Sequence, residues 1–165
     1  HVAHGLGEGF LCSCGTVSGH IEPVASGTGL ASLYNRRLAK AAEGTFPADN
    51  TGASSQLADT SPVASGREVA RRAESGEDFA RNILGLSARA LGQCIAGMGN
   101  LLDPSIIICS GSVANAGDLW WQPLEQGFRE AALPLVEATP LVKGTLGDNA
   151  PLIGAASAAR QAFES

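Results

Sequence analysis

Apolar residues recur at helical spacing along much of this chain. After Ser26-Gly27-Thr28-Gly29, the residues Leu30, Leu33, Tyr34 and Leu38 share one face, predicting a helix that ends near Gly44. Ser65 is a helix N-cap with Glu68 three residues on, the pattern of a capping box, so a short helix is expected over 67–74. Beyond Gly76, Phe79, Ile83, Leu84, Ala90, Leu91, Ile95, Met98, Leu101 and Leu102 trace a long helix over 77–102. Gly85, Gly92, Gly97 and Gly99 interrupt it, each costing about 1 kcal/mol against alanine. Such a helix keeps its glycines for close approach to a neighbouring element.

Asp103-Pro104 ends that helix, and the unbroken apolar run 105–110 (S-I-I-I-C-S) reads as a parallel strand covered on both faces. Gly111-Ser112 turns the chain into a helical region over 116–130 with Trp120, Trp121, Leu124 and Phe128. Residues 140–143 are a second candidate strand, and Gly147-Asp148-Asn149 leads into a last helix over 152–163. Residues 6–19 form a glycine-rich loop held by something other than a core. The segment 45–62, rich in Ser, Thr, Asp, Ala and Gly, is a surface connection. Helix, buried strand and helix in alternation predict an α/β fold with an open, largely parallel sheet.

Composition narrows the class. The 165 residues suit one domain, with 44% hydrophobic and 16% charged residues as in soluble globular chains. No apolar run nears the roughly 20 residues of a membrane helix, so no membrane partner is expected. A net charge of −5 leaves no basic face for nucleic acid. The chain opens on His1-Val2-Ala3-His4 with neither methionine nor a cationic-then-apolar leader, and is expected to be a piece of a longer protein. Four cysteines are too few for a disulfide scaffold, which points to a reducing cytoplasm. Cys94 and Cys109 read as small buried hydrophobes.

The chemistry concentrates near the start. His1, Cys12, Cys14 and His20 offer two imidazoles and two thiols, the donor set of a tetrahedral zinc site. Spacing alone leaves His4 as a competitor of His1. Glu22 follows closely.

In order and separation, His1, Cys12-Ser13-Cys14-Gly15, Gly19-His20-Ile21-Glu22 and Ser26-Gly27 resemble the zinc loop of the ROK family of sugar kinases and sugar-responsive repressors. Two departures stand out: His20 replaces the last cysteine, and one residue is added within 16–18. Asn100-Leu-Leu-Asp-Pro104 with the following strand and Ser110-Gly111-Ser112, and Gly147-Asp-Asn-Ala-Pro-Leu-Ile-Gly-Ala-Ala156, are similar to later segments of the family. The nearest likeness is to its glucokinase and N-acetylmannosamine kinase-like members.

The resemblance implies an actin-like ATPase (ribonuclease H-like) lobe, three-layer α/β/α, with residues 1–165 as the C-terminal lobe and residues 1–22 as its zinc and sugar loop. It implies a structural Zn2+ on His1, Cys12, Cys14 and His20, sugar contacts from His1 and Glu22, and nucleotide contacts from Ser110, Gly111 and Ser112. The phosphate loop and catalytic aspartate of such kinases are not in this sequence, so no catalytic residue is expected here and this piece alone is expected to be inactive. The intact protein is then expected to use ATP and Mg2+ to phosphorylate glucose, N-acetylmannosamine or N-acetylglucosamine. The alternative is a sugar-sensing repressor, with a winged helix-turn-helix upstream as its nucleic-acid partner. A homodimer is expected as well, with the Trp120-Trp121 pair either an exposed contact or part of the core.

Overall fold

The structure is a computed structural model that describes residues 1–43 and 60–164. Most of the connection expected over 45–62 lies outside the described residues. The elements are β1 (Ala3–Gly7), β2 (Gly19–His20), α1 (Glu22–Ala25), α2 (Gly27–Ala42), α3 (Gly66–Glu74) and α4 (Asp78–Leu102). They continue with β3 (Ile107–Cys109), α5 (Asp118–Ala131), β4 (Leu141–Lys143) and α6 (Ala150–Glu164).

Local chemistry sets the helix ends. Ser26 accepts the Gly29 amide at α2, and Ser65 accepts the Glu68 amide at α3. Glu68 reaches back to the amide of Ala64 at 2.9 Å, one residue before the N-cap that a capping box would use. At the far end of α4, Asp103 takes a left-handed conformation (φ 45°), which breaks the helix ahead of Pro104.

The glycines of α4 do bring a neighbour close. A Cβ on Gly92 would stand 2.1 Å from the Leu124 carbonyl oxygen, and one on Gly127 would stand 2.1 Å from that of Arg89. The α4 and α5 backbones therefore touch, and Arg89 closes the crossing with a two-pronged bond to Glu130 at 2.8 and 2.9 Å. Gly99 packs against Val136 and Gly85 against Pro123, whereas Gly97 faces open space. The main core gathers Val24, Leu30, Leu33, Tyr34, Ile83, Leu84 and Leu124, all at most 1% exposed. Cys94 is buried as expected, and Cys109 is half-buried.

Asn35 of α2 binds Val63 in both directions, accepting from its amide at 2.8 Å and donating to its carbonyl at 2.9 Å. Arg72 of α3 meets Glu68 at 2.6 Å and the Tyr34 hydroxyl at 3.2 Å, and Tyr34 donates to Glu77 at 2.5 Å. These bonds tie α2, α3 and the start of α4 together.

The class is mixed α/β, as expected, and β3 pairs with β4 in parallel, Ile107 opposite Leu141 and Cys109 opposite Lys143. The other sheet, β1 with β2, is antiparallel, and the sequence reading lacked it. The expectation of a strand covered on both faces is corrected. Ile107 and Cys109 face the helices, while Ile106 and Ile108 are 50% and 63% exposed because nothing described packs over their side. Helix α6 likewise buries none of its side chains. Of the two places open to the Trp pair, the structure shows the buried one: Trp120 is core and Trp121 is half-buried, its Nε1 bonded to the Ala114 carbonyl, so the pair presents no exposed aromatic face.

Candidate metal and ligand site

The β1–β2 pair creates the site. Ala3 stands opposite His20, and the Ile21 amide donates to the Val2 carbonyl at 2.9 Å, so the first residue lies beside the twentieth. Between the strands, Cys12 and Thr16 close a tight turn (Cys12 N to Thr16 O, 2.9 Å), with Gly15 at φ 83° where a side chain would be strained. Arg36 lies over the Phe10 ring at 4.3 Å and holds the outer loop against α2.

The four predicted ligands converge. His1 Nδ1 is 2.9 Å from His20 Nδ1 and 3.7 Å from Cys12 Sγ, and Cys14 Sγ is 3.5 Å from His20 Nδ1. All four donor atoms lie within 4.8 Å of one another. Bonds of about 2.05 Å to nitrogen and 2.3 Å to sulfur give tetrahedral edges of roughly 3.3 Å (N···N), 3.6 Å (N···S) and 3.8 Å (S···S). The donor set is that of a zinc ion, and the two N···S spacings match such edges, while the 2.9 Å N···N pair must open and the widest separation, up to 4.8 Å, must close by small side-chain movements. Thr16 beside it, chiefly through its hydroxyl, lowers the pKa of the Cys14 thiol to about 7.

His4 stands apart. Its Nδ1 accepts the Leu6 amide at 3.0 Å, and its Nε2 meets Gln93 Oε1 at 2.8 Å. Both ring nitrogens are thus engaged away from the cluster, with Nε2 as the donor. Glu22 opens α1 and its Oε2 accepts from Cys12 Sγ at 3.7 Å, so the carboxylate borders the cluster.

Helix α4 carries two residues that the sequence reading did not single out. Ser87, 1% exposed, donates to the Val24 carbonyl at 2.8 Å and so fixes α1, while Gln93 fixes β1 through His4. A polar residue on a helix face that is otherwise apolar was the available signal for Ser87.

A cleft of about 730 Å3 opens where the first turns of α2 and α3 meet the loop after β3. Its walls include Thr28, Ser65, Arg67, Arg71 and Ser112. The two turns meet because Gly66 packs on Gly27, where a Cβ would stand 2.3 Å from the Gly27 carbonyl oxygen. Ser112 lines the cleft, and Ser110 and Gly111 lie just before it in the chain, outside its walls. Gly111 turns at φ 107°, open to glycine alone without strain.

The sequence model of the ROK family matches residues 1–162. A glucokinase of Halalkalibacterium halodurans is 32% identical over 147 residues, covering 88% of this chain and 42% of that protein. The crystal structure of a ROK family glucokinase from Streptomyces griseus in complex with glucose and AMPPNP superposes with a TM-score of 0.69 at 30% identity, over 93% of this chain and 48% of that one. A ROK family transcriptional regulator, homologous to the E. coli MLC protein, superposes with a TM-score of 0.62 at 26% identity, over 86% of this chain and 33% of that one. The chain thus spans less than half the length of these proteins.

Proposed function

The chain belongs to the ROK family, and on that footing we propose that the whole protein is an ATP-dependent sugar kinase, with residues 1–165 as its C-terminal lobe. The acceptor is a hexose or N-acylhexosamine: glucose, N-acetylmannosamine or N-acetylglucosamine. The observation that carries the reading is the convergence of His1, Cys12, Cys14 and His20 with Glu22 at their border.

In this reading Zn2+ is structural, since four protein donors leave no open position for water. It clamps the 12–20 turn to the first residue, and that clamp aims Glu22. Glu22 accepts hydrogen bonds from sugar hydroxyls, and His1 touches the sugar from its place in the metal shell. Two carboxylate oxygens discriminate hydroxyl directions that a single acceptor would not. ATP lies along the cleft that Ser112 lines, with Ser110 and Gly111 shaping the turn that admits it. Two helix N-termini and the arginines Arg67 and Arg71, set against the single carboxylate of Glu74, give that cleft an edge suited to a nucleotide. The base that deprotonates the attacking hydroxyl, and Mg2+ at the phosphates, belong to the rest of a cytoplasmic enzyme. The glucose and AMPPNP bound by the Streptomyces griseus relative support this assignment of ligands.

A second reading, a sugar-responsive repressor, draws on the likeness to the transcriptional regulator. The full-length protein separates the two. Acceptor-dependent ADP formation with one of the three sugars, lost in Glu22→Ala, is expected of the kinase. No ADP formation with any of them, together with sugar-dependent release from duplex DNA, would replace the kinase with the repressor.

A further inference from the structure

A chain of hydroxyls runs along the outer side of the loop. His20 Nε2 is 2.9 Å from Ser18 Oγ, Ser18 Oγ is 2.9 Å from Thr16 Oγ1, and Thr16 Oγ1 is 3.1 Å from Cys14 Sγ. The chain leaves one ligand of the cluster on its outer side and returns to another. It is outside the four-donor set itself.

The direction of these bonds follows from His20. Its Nδ1 faces His1 and Cys14 at 2.9 and 3.5 Å, so Nδ1 is the nitrogen offered to a metal. The proton of the neutral ring then sits on Nε2, where Ser18 Oγ accepts it. Ser18 in turn donates to Thr16, and Thr16 donates to Cys14 Sγ. Each hydroxyl accepts once and donates once, so no member is left without a partner. A ring held only by its metal bond can rotate, whereas a hydrogen bond at the second nitrogen fixes both its tautomer and its plane.

We propose that Thr16 and Ser18 are positioning residues of the metal site, serving the imidazole of His20 and joining it to Cys14. The proposal rests on the zinc reading of the cluster. A cysteine at position 20 has no second ring nitrogen to orient, so it would leave Ser18 without a task. The turn over 16–18 brings the Ser18 hydroxyl to the far side of the ring that stands at position 20.

Zinc affinity, measured by competition with a chromophoric chelator on the full-length protein, tests this. Ser18→Ala and Thr16→Val are expected to weaken binding by about 10- to 100-fold, the usual loss on removing such a partner. Ser18→Thr, which keeps the hydroxyl, is expected to restore most of the affinity. In the Co2+-loaded protein, Ser18→Ala is expected to shift the ligand-field absorption bands, which a remote loss of stability would not move. In the His20→Cys background, adding Ser18→Ala is expected to change zinc affinity by less than a few-fold, and this comparison decides the matter even where Ser18→Ala alone folds poorly. A wild-type protein that binds no zinc overturns the metal reading and this proposal together. Wild-type binding with undiminished affinity in Ser18→Ala, or an equal loss in the His20→Cys background, overturns the proposal alone.

Discussion

Ser87 Oγ donates to the Val24 carbonyl oxygen at 2.8 Å, in a setting where both residues are at most 1% exposed. Val24 lies in α1, two residues after Glu22, so this one bond joins the ligand-side helix to the long helix of the core. Ser87→Ala would leave a buried carbonyl without its donor. The expected cost is about 1–3 kcal/mol. Urea unfolding measures it, and a variant as stable as the wild type would show that α1 is held by packing alone. In the intact protein a weaker sugar affinity is expected alongside the lost stability.

The glycines of α4 should divide into two groups. Gly92→Ala places a methyl where only 2.1 Å separates Cβ from the Leu124 oxygen, which is backbone and cannot rotate away. Helices α4 and α5 must part, at a cost of about 3 kcal/mol. Gly97→Ala meets nothing within 4 Å and gains helix propensity, so stabilisation of up to about 1 kcal/mol is expected. Equal effects of the two substitutions on the unfolding midpoint would refute the close crossing.

The glycine pattern shows what kind of information the sequence holds. Helices α2 to α5 were legible because each repeats an apolar face, and two of them also open on a capping serine, Ser26 for α2 and Ser65 for α3. The ligand set was legible because His1, Cys12, Cys14 and His20 are unusual residue types at close spacing. The β1–β2 pair was not, since β2 has two residues and no periodicity can be read from two. Helix α1, four residues long and opened by Glu22-Pro23, has the same difficulty. Spacing alone did not separate His4 from His1, because the partner of His4, Gln93, is 89 residues away. No local pattern announces a pair so distant in the chain. The exposed side of β3 misled for a related reason: Ile106 and Ile108 are apolar, yet nothing described covers them.

Tyr34 makes a pH-dependent contribution whose sign is fixed. Burial, then the hydrogen bond and charge of Glu77, raise its pKa from 10.0 to about 12. A group raised in the folded state stabilises fully below its unfolded pKa and loses that contribution as pH climbs to the folded value. The stability of the wild type should therefore fall between about pH 10 and 12, by on the order of 1–2 kcal/mol once solvent screening of the hydroxyl is allowed for. Tyr34→Phe removes this titration, and the difference between the two proteins cancels the lysines and thiols that ionise in the same range. Parallel stability curves for wild type and Tyr34→Phe across that window would refute it.

The metal reading makes the most consequential prediction. Four donor atoms within 4.8 Å of one another, two from imidazoles and two from thiols, are costly to leave bare once the thiols ionise, because two negative charges would then crowd one turn. A divalent ion removes that repulsion and clamps three segments at once, residue 1, the 12–14 turn and the end of β2. One zinc per chain is expected in the full-length protein, lost in Cys12→Ala and in His20→Ala. His4→Ala should keep the metal, because its ring is engaged with Leu6 and Gln93 instead. Glu22→Ala should also keep it, yet bind no sugar, because the carboxylate borders the cluster without belonging to the donor set. Elemental analysis together with calorimetric sugar titration reads both properties on the same samples. Zinc that survives both ligand substitutions would place the metal elsewhere, and sugar binding that survives Glu22→Ala would separate the carboxylate from the task assigned to it. Retention of zinc with loss of sugar binding in Glu22→Ala is the outcome that divides the loop into a clamp and a reader.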